Sequence, residues 1–285
     1  MALRTLVDVD TLAAHLDDPR WVVLDCRFEL TRPTWGEEAF AAGHIPGAQY
    51  AHLDRDLAAI PTATSGRHPL PEPETFAALA RRWGINEDTQ IVVHDQASGV
   101  YAARAWWLFR WLGHESVAVL RGGLAAWTSS PRTLTVETTT RATGHFVARP
   151  QENWIVTVDD VLDSLDSHRL HVVDGRGADR FAGHNETMDP IAGHVPGAVN
   201  HPFTNNFAAD GTWLPEAELR ARWETTLRGR PANEIVTMCG SGVSACLNLL
   251  ALETLGIQGA RLYAGSWSEW VRDPSRPVAT GAAAS

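Results

Sequence analysis

The sequence contains no lysine: all 24 basic residues are arginine. That absence excludes Schiff-base chemistry and a Walker-type phosphate loop, since both need an amine. Cysteine is scarce, at three residues, and Cys26, Cys239 and Cys246 include no C-x-x-C pair. An odd count without that spacing argues against a disulfide framework or a structural zinc site. No run of about 18 apolar residues exists, so no membrane-spanning segment is expected. The opening MALRTLVDVD lacks the basic-then-apolar pattern of an export signal, and a cytoplasmic protein with reduced thiols is expected. The formal net charge of −10 disfavours a nucleic-acid or anionic-membrane surface.

What the 285 residues do contain is enough apolar material, 44%, for one or two cored domains. An internal repeat decides for two. The first half carries WVVLDCRF (21–28), GHIPGA (43–48), IVVHDQASGVYAARAWWL (91–108) and GGLAAW (122–127). The second carries LHVVDGRG (170–177), GHVPGA (193–198), IVTMCGSGVSACLNLLAL (235–252) and GSWSEW (265–270). The four segments recur in one order at offsets between 143 and 150, which implies a duplicated domain of about 140 residues. The expected division is 1–128, a Ser/Thr/Pro-rich linker at 129–152, and 153–285, with a fraying tail from 273.

β-Branched runs predict strands at 21–25, 90–94, 116–120, 170–174, 234–238 and 260–263. Helices are predicted at 8–17, 74–83, 100–112, 157–167, 215–227 and 244–255. Thr157 with Asp160 forms an N-cap signal, and Pro73 and Pro215 stand at helix starts. Strands alternating with helices imply an α/β fold, twice over, each a mainly parallel sheet flanked by helices.

The chemistry concentrates in Cys239-Gly240-Ser241-Gly242-Val243-Ser244, a turn between an apolar strand and an apolar helix. Ligands of open α/β sheets bind at this carboxyl end of a strand. The glycines let backbone N–H groups turn inward as an anion nest, and the helix adds the positive end of its dipole. Such a setting favours a thiolate. The alternative is a buried structural cysteine.

The two Gly-His boxes, the CGSGVSA loop and the terminal GSWSEW resemble the tandem rhodanese-type sulfurtransferases, over roughly residues 5–272. The resemblance implies two rhodanese-like domains, a persulfide-forming Cys239 in the second, and a silent first copy. Asp95 stands there at the cysteine position, 144 residues earlier. The same architecture hosts phosphatases, whose loop needs an arginine six residues after the cysteine to clamp phosphate. Ala245 occupies that place, which argues against phosphatase activity.

Within the family, the small neutral loop is similar to that of enzymes using 3-mercaptopyruvate. Thiosulfate enzymes carry cations directly after the cysteine. By resemblance Arg180 holds the donor carboxylate, a task suited to a planar, permanently charged group. A surface ion pair is the alternative. Arg176, near Asp174, reads as a brace. The second arginine usual in mercaptopyruvate enzymes is missing from 181–193. His184 and Asn185 fill that region, and His184 is the candidate to bind substrate. Asp54 and His68, from the first repeat, resemble the residues that reach the loop and form a proton relay with Ser241; interface hydrogen bonding is the alternative. Gly240, Gly242, Val243 and Ser244 would line the anion nest. His44 and His194, present in both repeats, read as structural. Cys246, Trp127, Trp267 and Trp270 read as packing.

The expected reaction moves sulfur from 3-mercaptopyruvate through Cys239 to a thiol (thioredoxin-like or small) or to cyanide, with no metal or organic cofactor. Alternatives are a thiosulfate:cyanide sulfurtransferase, a persulfide carrier for a partner protein, or a binding module without activity.

Overall fold

A computed structural model describes residues 2–282. The chain forms two compact units. One holds the residues up to Ala59 and Leu70–Gln151; the other holds Ile60–Pro69 and the chain from Glu152 on.

The first unit is built on strands β1 (Leu6–Val7), β2 (Trp21–Asp25), β3 (Gln49–Tyr50), β4 (Gln90–His94) and β5 (Val117–Leu120). They run parallel in the order β1-β5-β4-β2-β3. The second has β6 (His171–Asp174), β7 (Val199–Asn200), β8 (Ile235–Met238) and β9 (Arg261–Leu262), parallel in the order β7-β6-β8-β9. A lone parallel bridge, Ile155 to Leu262, stands beside β9 where β1 runs beside β5 in the first unit. The α/β reading of both repeats therefore holds. Val22–Leu24 and Ile91–Val93 are buried, as are Val172–Val173 and Ile235–Met238. Sheets covered on both faces produce such continuous apolar runs rather than alternation.

The six predicted helices are present as Val9–Ala13, Pro73–Arg82, Val100–Trp111, Val158–Ser167, Glu216–Leu227 and Ser244–Thr254. The first is shorter than its predicted span of 8–17. The capping box at Thr157 is formed: Asp160 N–H donates to Thr157 Oγ1 at 3.2 Å, and Thr157 N–H donates to Asp160 Oδ2 at 3.0 Å. Short helices at Trp35–Ala42, Leu53–Asp56, Gly123–Thr128, Ala178–Ala182 and Ser266–Trp270 went unpredicted, as did the two-residue strands β1, β3 and β7, while β9 falls inside the predicted strand at 260–263. Elements this short hold too few periods to stand out.

The segment 129–151 is extended but tied down. Thr135 bridges His44, Phe146 is buried, and Arg141 donates to the carbonyls of Pro19 and Trp21. The expectation of a fraying tail needs correction. Trp270 Nε1 donates to the Pro277 carbonyl at 2.9 Å, Ala279 pairs with His194, and Gly281 N–H donates to Ala182. Residues 283–285 of that predicted tail lie outside the described residues.

Several framework contacts occur twice. Arg27 is locked to Asp25 and donates to the Gly43 carbonyl; Arg176 is locked to Asp174 and donates to the Gly193 carbonyl. His44 stacks on Phe40 and donates to its carbonyl, as His194 does with Phe181. Buried ion pairs and stacked imidazoles that recur in both units hold each Gly-His box to its sheet.

Candidate active site

Cys239 follows β8 directly, and is 2% exposed. Its backbone is fixed on both sides: the N–H donates to Ser266 Oγ at 3.0 Å, and the carbonyl accepts from Trp267 N–H at 3.0 Å. The Gly240 carbonyl accepts from Ser268 N–H at 2.9 Å. Gly242 has φ +76°, and a Cβ there would lie 2.2 Å from the Ala264 carbonyl oxygen, so only glycine fits. Cys246 is buried on the following helix, its Sγ 3.2 Å from the Gly242 carbonyl.

The first repeat explains what the loop is for. There Asp95 follows β4, and its carboxylate accepts the N–H groups of Ala97 (3.0 Å), Gly99 (2.8 Å) and Tyr101 (3.0 Å). At the offset of 144 these positions are Ser241, Val243 and Ala245. Among the described residues their N–H groups have no acceptor, nor does that of Gly240. The left-handed glycine differs in place, Gly99 in one loop and Gly242 in the other. Burial pushes the Asp95 carboxyl above its ordinary range, and its three N–H partners pull the other way. The first loop thus carries its own anion, while the second presents a row of donors beside a thiol.

Ser266 was not singled out from the sequence. Among the described residues it is one of three non-glycine residues with positive φ, at 54°, and is fully buried. The first repeat has Gly123 at this position, also left-handed at φ 56°. A serine accepts roughly 1 kcal/mol of backbone strain there. In return its Oγ takes the Cys239 N–H and donates to the Tyr263 carbonyl at 2.9 Å.

Two guanidinium groups stand over the residue after the nucleophile. A Cβ on Gly240 would lie 2.9 Å from Arg67 Nη2 and 3.7 Å from both Nη atoms of Arg180. Arg180 was expected here; Arg67 was not. Arg67 belongs to the Ile60–Pro69 segment of the second unit, and its N–H donates to Ser268 Oγ at 3.0 Å. Ser268 is also the residue whose N–H holds Gly240, so one side chain ties this segment to the cysteine loop. Arg67 Nε is buried with no acceptor among the described residues. The cation missing from 181–193 is therefore matched by one from a remote stretch of chain.

Two carboxylates, each 2% exposed, face these arginines. Glu186 accepts from Arg180 through Nε at 3.1 Å and Nη2 at 2.9 Å. Asp189 accepts from Arg67 Nη1 and from Arg180 Nη2 at 3.3 Å. Burial pushes the Glu186 carboxyl up, but the Met188 N–H and Arg180 outweigh it and leave it below its ordinary range. Burial leaves Asp189 above its ordinary range, against the charge of Arg67.

His68 is buried, and its Nδ1 shares a hydrogen bond of 2.7 Å with Ser241 Oγ. Asp54 lies at the start of the short helix Leu53–Asp56 in the first unit, exposed. His184 lies exposed on the turn after Ala178–Ala182, its N–H on the Asp179 carbonyl. No hydrogen bond of its ring joins the loop among the described residues; from the same stretch it is Glu186 and Asp189 that bond the two arginines. Arg176 pairs with Asp174 and also donates from Nη1 to Glu186 Oε2 at 3.4 Å, with its guanidinium 4.6 Å from the Trp267 ring centroid.

The rhodanese-like domain model matches this chain twice, at residues 8–130 and 157–273. The chain belongs to the rhodanese family and carries two of its domains. A probable 3-mercaptopyruvate sulfurtransferase of Pseudomonas aeruginosa is 45% identical over 99% of this chain and 100% of its own. A putative thiosulfate sulfurtransferase of Mycobacterium tuberculosis is 37% identical over 92% of this chain and 91% of its own. The crystal structure of SseA from Escherichia coli, a 3-mercaptopyruvate sulfotransferase, superposes with a TM-score of 0.81 at 34% identity. It covers 93% of this chain and 100% of that one. Among the described residues no helix is long and apolar enough to cross a membrane.

Proposed function

We propose that this chain, a sulfurtransferase as its named relatives are, takes its sulfur from 3-mercaptopyruvate and carries it on Cys239. The observation that carries this reading is a thiol beside open backbone donors with two guanidiniums over Gly240. Arg67 and Arg180 grip the donor carboxylate, and planar bidentate pairing sets its sulfur toward Cys239. The Cys239 thiolate attacks that sulfur and an S–S bond forms. The C–S bond breaks with its electron pair left on carbon, as the enolate of pyruvate. The proton lost by the donor thiol is the one the enolate needs, and the hydrogen-bonded pair Ser241–His68 supplies a route for it. Asp54 keeps its place in that relay on the family resemblance alone. The N–H groups of Gly240, Ser241, Val243 and Ala245 then stabilise the persulfide anion in the manner of an oxyanion hole.

A thiol, small or thioredoxin-like, attacks the outer sulfur, carries it away as its own persulfide and frees the Cys239 thiolate; a second thiol then displaces the sulfur as sulfide and leaves a disulfide, whereas cyanide takes the outer sulfur as thiocyanate. A cytoplasmic setting is part of this reading, supported by the three free cysteines. The thiosulfate reading is kept as a second choice because one relative bears that name.

The test is a donor comparison with an intact-mass readout. The kcat/KM for 3-mercaptopyruvate is expected to exceed that for thiosulfate, and the donor should add one sulfur atom to the protein. A larger value for thiosulfate reverses the donor assignment. A sulfur adduct that survives Cys239→Ser removes the mechanism.

A further inference from the structure

Neither the loop chemistry nor the clamp explains why two buried carboxylates stand against the arginines that must hold an anion. Asp189 and Arg67 form one ion pair, Asp189 and Arg180 a second, and Glu186 takes the remaining face of Arg180. With both carboxylates ionised, the two arginines are neutralised before any donor arrives. Glu186 is also held by the N–H groups of Met188 (2.8 Å) and Asp189 (3.1 Å), so it is a fixed partner of Arg180. Among the described residues the Asp189 carboxylate has no such backbone anchor. Its two bonds go to the two guanidiniums over Gly240, which is where a carboxylate donor has to bind.

We propose that Asp189 is a specificity-determining residue: an internal counter-ion that occupies the donor's carboxylate subsite and filters donors by charge. The inference rests on the carboxylate clamp proposed above and adds a discrimination between anions. A monoanionic carboxylate exchanges with Asp189 on the arginines, one carboxylate for another of the same shape and charge. A tetrahedral dianion such as thiosulfate brings a second negative charge into a low-dielectric pocket that already holds Glu186 and Asp189. Like charges a few ångströms apart in such a site cost enough to change binding by an order of magnitude. This filter sits outside the Cys239–Ser244 loop, so a neutral loop is only part of what sets the donor.

The experiment compares wild type, Asp189→Asn and Asp189→Glu with both donors and one thiol acceptor. Asp189→Asn keeps the hydrogen-bonding shape and removes the charge. It should raise the thiosulfate-to-mercaptopyruvate ratio of kcat/KM by about tenfold. Asp189→Glu restores the charge and should hold the ratio within about threefold of wild type. A ratio unmoved by Asp189→Asn overturns the filter, and so does an equal rise in both variants. Wild-type inhibition is a second measurement that needs no variant. Pyruvate should inhibit at a concentration about tenfold lower than sulfate at matched ionic strength, and equal or stronger inhibition by sulfate overturns the proposal. Failure of the donor assignment itself would appear in the wild-type donor comparison alone, whatever the variants do.

Discussion

The two strand-to-helix loops of this molecule are one backbone design put to opposite uses. After β4, Asp95 fills the row of N–H groups at positions 97, 99 and 101 with its own side chain. After β8, Cys239 faces the same row, at 241, 243 and 245, without filling it. The surroundings diverge in step. Six residues after Asp174 stands Arg180, over the loop; six residues after Asp25 stands Thr31, exposed and bonded to Glu29. Gly123 becomes Ser266, which keeps the left-handed backbone and adds a hydroxyl for the Cys239 N–H. The difference teaches that the two loops diverge by more than one residue. The N–H row of the first is occupied by Asp95, and Thr31 stands where the second repeat has Arg180.

Three substitutions can break or sharpen this comparison. The largest effect is expected from Asp95→Ala, which leaves three N–H groups without their acceptor, that of Gly99 in a buried residue and those of Ala97 and Tyr101 nearer solvent. At roughly 1–3 kcal/mol for the buried group and less for the other two, the net loss should be about 2–3 kcal/mol. Chemical denaturation should show that loss, while activity per folded molecule stays at the wild-type level. A variant as stable as wild type would mean the Asp95 nest is not holding the loop. Next is Arg180→Ala, which removes a cation that the first loop lacks. KM for 3-mercaptopyruvate should rise about 30-fold, roughly 2 kcal/mol, with a smaller change in kcat. Unchanged KM would detach Arg180 from the donor carboxylate. The smallest is Ser266→Gly, which gives the second loop the residue of the first. Relief of left-handed strain and loss of the hydrogen bond should nearly cancel, leaving Tm within a few degrees. With the Cys239 N–H released, kcat should fall about tenfold; an unaltered kcat would make the hydroxyl a matter of packing.

Much of this was legible in the sequence, because the duplication let each half interpret the other. The strand runs, the five helices of ten or more residues and the cysteine loop all announce themselves through burial on both faces and through period. Arg180, in DGRGADRF, was legible through the family resemblance. Arg67 was not: it lies in the first repeat, 172 residues before the cysteine, and only the folded chain brings it to Gly240. Asp189 and Glu186 were passed over because a cation was sought in 181–193, while electrostatics there is set by anions that recruit the cation from elsewhere. Ser266 had a signal in plain view. GGLAAW and GSWSEW differ at the second glycine, and a residue that leaves glycine at a left-handed position does so at a cost in backbone energy.

The placement of Ile60–Pro69 bears on why a duplicated chain keeps both of its halves. This arm is encoded inside the first copy yet folds as part of the second unit, and it carries Arg67 and His68. A gene trimmed to its second copy would therefore specify Cys239 without the Arg67 guanidinium over Gly240 and without the hydrogen-bond partner of Ser241. The two halves of the sequence are not separable at the boundary between the repeats, because the surroundings of one loop are written partly in the other copy.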